Sequence, residues 1–505
     1  LTKKQDSDAI YGIHWFRRDL RVTGNSALAE CYRRTNGRTL GVFSFDQKFL
    51  SRADFSNNRF QFFIETLKVL KQNLTKQGID LLVLDCGPDE CFARIRQYLE
   101  NKRLPQPSVV SWNRDYEPFA RERDQRIESL IQKWDIEIVT SRDHLLFEPW
   151  EIESTSGLPL KVYSAFAKRW MDKLHGPIGQ ERVELYRASL KKRSLTGASS
   201  NRTPLINWKS VLLCKDSLPE GLQDCLKTFD ESNKKLVNIP IPKAGEDQAF
   251  ARLTEWQIDI KDYGVSRDFP AMDRTSRLSP FFKNGSMIGG LVVAHYELTK
   301  EKFKGESGPA KFLSEIIWRE FYYYLLWHFP RIENEAFQQK YLDLKWENRD
   351  DYFKAWCDGQ TGFPIIDAAM RQLNQTGWMH NRLRMIVASF LTKDLLVDWK
   401  WGERYFMKQL LDGDLAPNNG GWQWSASTGC DAQPYFRIFN PFSQSERFDK
   451  EGVFIKSFVP EIGHYNAKKI HRPINEDRER IGYPMEIVEH SIQRDKALKL
   501  FASAK

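Results

Sequence analysis

The chain lacks most of the features that would tie it to a membrane, a metal or a dinucleotide. No apolar run approaches the roughly 18 residues of a membrane-spanning helix, so no membrane association is expected. The first residues, Leu1-Thr2-Lys3-Lys4-Gln5-Asp6, carry no apolar stretch behind their lysines and do not read as a secretion signal. The seven cysteines (Cys31, Cys86, Cys91, Cys214, Cys225, Cys357 and Cys430) are dispersed, form no Cys-x-x-Cys pair and join no histidine at zinc spacing. That argues against a zinc module and a disulfide framework, and no metal is expected. It points instead to reduced thiols in a cytosolic or nuclear compartment. The first strand-like run leads into Arg17-Arg18-Asp19-Leu20-Arg21 without a Gly-x-Gly-x-x-Gly turn, which disfavours a standard dinucleotide site. There is no internal repeat.

What the chain does have is positive charge and aromatic rings. Its 505 residues hold 76 Lys and Arg against 67 Asp and Glu, a net charge of +9, with 16 Trp, 17 Tyr and 33 Phe. Positive charge draws in a polyanion, and ring faces stack on bases or planar cofactors. Solvated surface and ordinary core account for the same numbers, so composition alone does not decide. The length exceeds what one core fills and predicts two or three domains. Short apolar runs at 10–16, 39–45, 80–86, 109–112 and 136–140 alternate with helical patterns such as Phe60-Phe63-Leu67-Leu70-Leu74. This alternation predicts a doubly wound parallel sheet over 8–141, with helices on both faces. Periodicity weakens over 142–245, where the basic, small-residue stretch 190–204 reads as part of a long linker. Helical patterns at 250–263, 310–328, 362–375, 381–396 and 402–411 then predict a helical domain over 246–490. The fold class is therefore α/β followed by all-α.

Four segments gather chemistry. Within 310–328, Glu315, Trp318 and Arg319 share one helical face at i, i+3 and i+4. A carboxylate, an indole and a guanidinium suit a polar aromatic ligand, although an ion pair beside a core tryptophan is the better reading of that triplet in isolation. After Gly377 comes Trp378-Met379-His380-Asn381-Arg382-Leu383-Arg384-Met385. Asn381, Arg384 and Met385 share a face, with Arg382 turned roughly 100° away and able to meet a phosphate; His380 reads as structural. The run Asp412-Gly413-Asp414-Leu415-Ala416-Pro417-Asn418-Asn419-Gly420-Gly421-Trp422-Gln423-Trp424 reads as a polar loop with close backbone approach. Its Asp-x-Asp lacks the remainder of a calcium loop. Upstream, Thr275-Ser276-Arg277-Leu278-Ser279-Pro280 offers hydroxyls and N–H groups ahead of a helix, a setting for a phosphate or simply a cap.

Together with Trp15-Phe16-Arg17-Arg18-Asp19-Leu20-Arg21, Trp318-Arg319-Glu320-Phe321-Tyr322 and Tyr435-Phe436-Arg437-Ile438-Phe439-Asn440-Pro441, these strings run in order through nearly the whole chain. They resemble the photolyase/cryptochrome family, and most of all its class I branch of cyclobutane-dimer photolyases. The resemblance implies non-covalent FAD, folded into a U inside the helical domain and reduced (FADH⁻) in the active form. By position, it implies that Tyr263, Thr275, Ser276, Arg277, Leu278 and Ser279 hold the pyrophosphate region. Arg384 pairs with Asp412 beside the ring, Gly413 and Asp414 anchor the ring edge, and Asn418 faces N5; Arg319, Trp378 and Asn381 complete the pocket. An amide suits that place, because its carbonyl accepts from N5–H while its NH2 donates elsewhere. Pro417 stands where many relatives carry Ala.

The same resemblance implies a lesion pocket of Glu315, Trp318, Asn381, Met385 and Trp424. Trp318 and Trp424 flank a dimer flipped out of UV-damaged DNA, and Glu315 in its acid form donates to a pyrimidine carbonyl. Arg267, Arg382 and Arg437 are implied for the surrounding phosphates. Trp422, Trp399 and Trp346 match the family's electron-transfer chain. Excited FADH⁻ passes an electron to the dimer, both cyclobutane bonds break, and the electron returns. A second, antenna chromophore, a folate or a deazaflavin, is implied in the α/β domain near Asn113, Asp115 and Glu117. A monomer is expected.

Four other readings compete, one of them a flavin-free nucleic-acid-binding module, which would leave the run 412–424 without a purpose. A cryptochrome-type light receptor shares the fold and flavin, but the full set Glu315, Trp318, Asn381 and Met385 favours repair. A photolyase for the six–four lesion carries a His pair where this chain reads His380-Asn381. An NAD(P) oxidoreductase built on the α/β domain lacks its glycine turn.

Overall fold

The computed structural model describes residues 11–193, 195, 218–219 and 221–504, so Cys214 and most of the 190–204 stretch lie outside the described residues. Five strands form one parallel sheet: β1 (Gly12–Phe16), β2 (Thr39–Ser44), β3 (Leu81–Leu84), β4 (Val109–Asn113) and β5 (Glu137–Ser141), in the order β3-β2-β1-β4-β5. Each expected strand is present: β1, β2 and β3 are shorter by one to three residues, β4 runs one residue further and β5 is shifted by one. Both sheet faces are covered, as a parallel sheet requires. Trp15, Val42, Leu82, Leu84 and Trp112 meet Phe92, Ile95 and Ile127 of the helices Pro88–Asn101 and Pro118–Gln132 on one side. On the other, Phe16, Phe43, Leu81 and Val83 meet Phe60, Ile64 and Leu67 of the helix Asn57–Lys76. The chain leaves the central β1 toward β2 and β3, then returns to β4 on the far side. The carboxyl ends of β1 and β4 therefore diverge, which is where such sheets open a crevice.

The segment expected as a linker is largely built into the core. Helices Tyr163–His175 and Pro177–Lys192 bury Phe166, Trp170, Leu174, Val183 and Tyr186 against the long helix Gly308–His328 and the helix Gly289–His295. Trp170 Nε1 donates to Glu320 Oε2 at 2.6 Å, tying the segment to the helical domain. The helix Leu226–Asn233 lies on Asn57–Lys76. The four-residue spacing of Phe166, Trp170 and Leu174 was a readable helical signal, masked by the exposed lysines and arginines around it.

In the helical domain, Gly308–His328, Pro364–Thr376 and Trp399–Gln409 match their expected spans closely. Two expectations change. The 250–263 pattern is broken into Glu246–Glu255, a 3-10 turn Asp259–Asp262 and the short helix Tyr263–Ser266. The 381–396 pattern is α-helical only over Asn381–Ser389 and then widens into a π-helical turn, Phe390–Asp394. The last helix, His490–Ala502, closes over that turn. There His490 Nδ1 meets Asp394 Oδ1 at 2.5 Å, and Lys393 Nζ lies 3.4 Å from the centre of the Phe501 ring. Burial lowers the Lys393 amine well below the usual lysine range. Among the described residues no helix is long and apolar enough to cross a membrane.

Candidate active site

A cavity of about 1870 Å³ opens in the helical domain. Its walls come from the turn that carries Thr275, Ser276, Arg277, Leu278 and Ser279, from the start of Asn381–Ser389, from Gly308–His328 and from the helix Leu415–Ser425. Tyr263, Glu315, Trp318, Arg319, Trp378, Asn381, Arg384, Met385, Asp412, Asn418, Trp422 and Trp424 all border it. The stretch expected as a polar loop, 412–424, is thus mostly helix. Asp414 stands at its N-cap and Asn418 N–H donates to Asp414 O at 2.9 Å in its first turn.

Arg384 is held twice: Nε donates to Met379 O at 2.8 Å, and Nη2 donates to Asp412 Oδ2 at 2.8 Å. Asp412 Oδ1 and Thr275 Oγ1 are buried without a partner. Buried polar atoms normally find one, so these two ask for a ligand that supplies hydrogen bonds at this wall. Asn418 Nδ2 donates to Glu403 O and Oε1, both at 3.1 Å, which leaves Oδ1 as a free acceptor. Burial raises the Glu403 carboxyl to about 7, against the lowering effect of Asn418. Arg277 lies over the Trp378 ring at 4.2 Å, so the phosphate-side turn is packed onto the next helix's lead-in. These features fit a flavin dinucleotide: hydroxyls and a guanidinium at one end, a carboxylate–arginine pair and a carbonyl acceptor at the other.

Glu315, Trp318, Asn381, Met385 and Trp424, the residues expected to form a lesion pocket, border the same cavity, with one partner that sequence reasoning missed. Trp318 stacks face to face on Tyr163, rings 3.6 Å apart and 4° from parallel, and Tyr163 OH donates to Ser314 O at 3.0 Å. Tyr163 lies in the misread linker, so no local pattern marked it.

Several expectations are corrected. Arg267 does not stand free for a phosphate, because Nη1 pairs with Glu315 Oε1 at 2.7 Å. Arg382 does turn away from the cavity, but it pairs with Asp268 at 2.8 Å and covers the Phe448 ring. Gly413 does not reach the cavity; a Cβ there would lie 2.5 Å from Arg59 Nη1. Asp414 borders the cavity, yet its carboxylate accepts from Arg18 at 3.0 Å, Lys283 at 3.2 Å and Tyr323 at 2.7 Å, so its side chain joins the domains. Arg437 is exposed, open to a phosphate. Of the three chain tryptophans, only Trp422 borders the cavity. Trp422 meets Trp356 at 6.0 Å and Phe406 at 5.0 Å, while Trp399 lies buried in the same apolar cluster and Trp346 packs against Phe501 at 5.7 Å. Trp356 was passed over in the sequence.

A second cavity, about 1160 Å³, sits at the carboxyl ends of β1, β2 and β4. Phenylalanines line it, among them Phe43, Phe45, Phe60 and Phe63, with Arg18, Arg59, Arg123 and Lys283 as cations. Asp115 and Glu117 border it as expected. Asn113 does not: its amide is spent on Asp19 at 2.6 Å, Asn25 at 2.8 Å and Ala27 N at 3.2 Å. Burial alone would raise the Asp115 carboxyl, but Arg18 and its cationic neighbours hold it below the usual range; burial prevails at Glu117 and raises it.

Comparisons with known proteins follow this geometry. Residues 12–184 match the family model described as DNA photolyase, and residues 312–503 match that of the FAD binding domain of DNA photolyase. A deoxyribodipyrimidine photo-lyase from Synechococcus sp. is 38% identical over 499 residues, covering 98% of this chain and 96% of that protein. A class III photolyase from Agrobacterium tumefaciens superimposes with a TM-score of 0.77 at 32% identity, covering 98% of each chain. An archaeal photolyase from Sulfolobus tokodaii, described with two FAD molecules and a novel light-harvesting cofactor, gives 0.73 at 29% identity over 98% of this chain and all of that one. With relatives this similar matched from end to end, the chain belongs to the DNA photolyase family.

Proposed function

We propose that the protein is a light-dependent deoxyribodipyrimidine photolyase, which takes a cyclobutane pyrimidine dimer from UV-damaged DNA and splits it to two pyrimidines. One observation carries the reading: the flavin-holding groups and the lesion-side set Glu315, Trp318, Met385 and Trp424 border a single cavity. Bound FAD supplies the light-excited electron that opens the cyclobutane ring. The chain's own residues do the rest. Thr275, Ser276 and Ser279 would hold the FAD phosphates, Arg384 and Asp412 the ring's polar edge, and Asn418 Oδ1 would offer the ring a hydrogen-bond acceptor. Trp318, braced by Tyr163, and Trp424 wall the flipped dimer and keep water out. Glu315, ion-paired with Arg267 at 2.7 Å and so kept aimed, makes one hydrogen bond to a pyrimidine of the dimer. Trp422, with Trp399 and Trp346, serves photoreduction of the oxidised cofactor. The class I affiliation rests on the strings at 376–385 and 412–424.

The phenylalanine-lined cavity suits a second planar chromophore. The Sulfolobus relative's two FAD molecules add a flavin to the folate and deazaflavin alternatives. The absorption spectrum of the isolated protein separates the three.

The deciding experiment illuminates the pre-reduced, FAD-loaded protein with DNA carrying one defined cyclobutane dimer. Repair under blue light and none in the dark is expected. Bound FAD without repair would turn the reading to the light receptor, and repair of the six–four lesion alone would equally overturn it.

A further inference from the structure

The turn that leads into Leu415–Ser425 carries both Asp412 and Asp414, and its shape sets where Asn418 stands. Two arginines from the other domain grip this turn. Arg18, which follows β1, donates from Nη2 to both carboxylate oxygens of Asp414 at 3.0 and 3.2 Å, and from Nη1 to Glu117 at 2.9 Å. Arg59, at the start of Asn57–Lys76, donates to Leu410 O at 3.1 Å and to Met407 O, and leaves no room for a side chain at Gly413. Arg18 is itself fixed by backbone contact. A Cβ at Gly285 would lie 1.8 Å from Arg18 O, Leu20 N–H donates to Asn284 O at 3.2 Å, and Arg21 Nη1 donates to Gly285 O at 3.0 Å.

We infer that Arg18, supported by Arg59, is a positioning residue for the flavin pocket: it acts from the α/β domain through Asp414 on the first turn of the Asn418 helix. The inference rests on FAD occupying the larger cavity. The physical reason is the position of Asp414. Its carboxylate is buried, and an unpaired buried carboxylate either takes up a proton or moves toward water. Burial pushes it upward, while Arg18 first, then Lys283 and Arg319, hold it well below the usual range. Without Arg18 the carboxylate keeps only the hydrogen bonds from Lys283, Arg319 and Tyr323 of the helical domain, and among the described residues none reaches it from the α/β domain. Asp414 O accepts the bond from Asn418 N–H, so a shift of the cap is passed directly to Asn418. Arg18 belongs to the string Trp15–Arg21 in which no pocket role could be read, because its target lies 396 positions along the chain.

The test uses the full chain and two readouts that do not depend on repair: the FAD dissociation constant and the midpoint potential of the bound flavin. Arg18→Gln is expected to raise the dissociation constant roughly tenfold or more and to shift the potential, with Arg18→Lys intermediate at roughly threefold. An ammonium reaches Asp414 or Glu117 but does not fork to both. Asp414→Asn should weaken FAD as well, and Arg18→Gln added to it should cost nothing further, because the path is already cut. Glu246→Gln is the control. It loosens another contact between the domains, the bonds from Val22 N–H and Thr23 N–H at 2.8 Å, and should lower thermal stability without altering FAD affinity or potential. Wild type that takes up no FAD defeats the parent reading. Wild type that binds FAD while Arg18→Gln matches it in affinity and potential defeats this inference, as does a double variant whose effect is the product of the two single ones. Should Arg18→Gln not fold, an Arg18→Lys variant with wild-type affinity and potential defeats it too.

Discussion

Asn418 works as a single-purpose acceptor because Glu403 takes both of its N–H groups. Glu403 in turn makes a measurable pH signature. Burial carries its carboxyl from 4.5 to about 7, so in that window the folded protein keeps a proton that the unfolded chain releases. Its contribution is therefore full below the unfolded value and is lost as pH rises through the folded one. The loss amounts to about 3 kcal/mol at 1.36 kcal/mol per unit. Glu403→Gln should flatten the fall in unfolding free energy between about pH 5 and about pH 8 and leave the variant the more stable at the upper end, as denaturant titration would reveal. A wild-type slope retained in the variant would place the titration elsewhere. Glu315 offers a second test. Glu315→Ala should keep FAD and lower the repair yield about tenfold, the worth of one hydrogen bond of about 1.4 kcal/mol made to the reacting dimer. An unchanged yield would remove Glu315 from the reaction. At this scale the residues facing the cavity could be read from contiguous strings, whereas their supports could not. Glu403, Tyr163 and Arg18 carry no local mark, since each acts on a residue distant in the chain or on another helix.

At the scale of elements, Leu415–Ser425 is held by its glycines. A Cβ at Gly420 would lie 2.0 Å from Tyr322 Cδ1, so the helix touches Gly308–His328 nearly backbone to ring. Gly421, one residue on, has nothing of the protein within 4 Å of such a Cβ and faces the cavity. Substitution by Ala should therefore act oppositely at adjacent positions. Gly420→Ala overpacks the contact and should cost about 1–3 kcal/mol of stability. Gly421→Ala gains helix propensity, about 1 kcal/mol in the apoprotein, while its methyl enters the flavin space and lowers FAD content. Thermal melts of the apoproteins and flavin absorbance of the purified variants would check both. Equal destabilisation by the two would mean that the helix sits differently. The same glycines explain why 412–424 was read as loop: Asp, Asn, Pro and Gly favour turns locally, and tertiary packing overrode that preference. The long apolar periodicities of 310–328 and 362–375 had no such conflict and came through nearly intact.

At the scale of the molecule, the net charge of +9 and the exposed Arg437 bear on DNA. Binding to damaged duplex should weaken linearly on a log–log plot against salt, and Arg437→Ala should reduce the slope by about one unit with little dependence on sequence. An unaltered slope would take Arg437 off the phosphate backbone. The two-domain architecture was legible because strand–helix alternation and long helical periods are local signals. The joint between the domains was not, because Arg18–Asp414, Arg21–Gly285 and Glu246 with Val22 and Thr23 are all pairings across long separations.

The final helix has a consequence of its own. The buried Lys393 amine donates to Ala426 O and Ser427 Oγ, both at 3.2 Å, beneath the Phe501 ring, and burial holds it well below the usual lysine range. A chain cut ahead of His490 would wet that amine, return it toward the usual lysine range, and admit solvent behind Trp346, whose ring leans on the same phenylalanine. The terminal helix is thus a stopper: it keeps water from the lysine and from the rear of the tryptophan cluster.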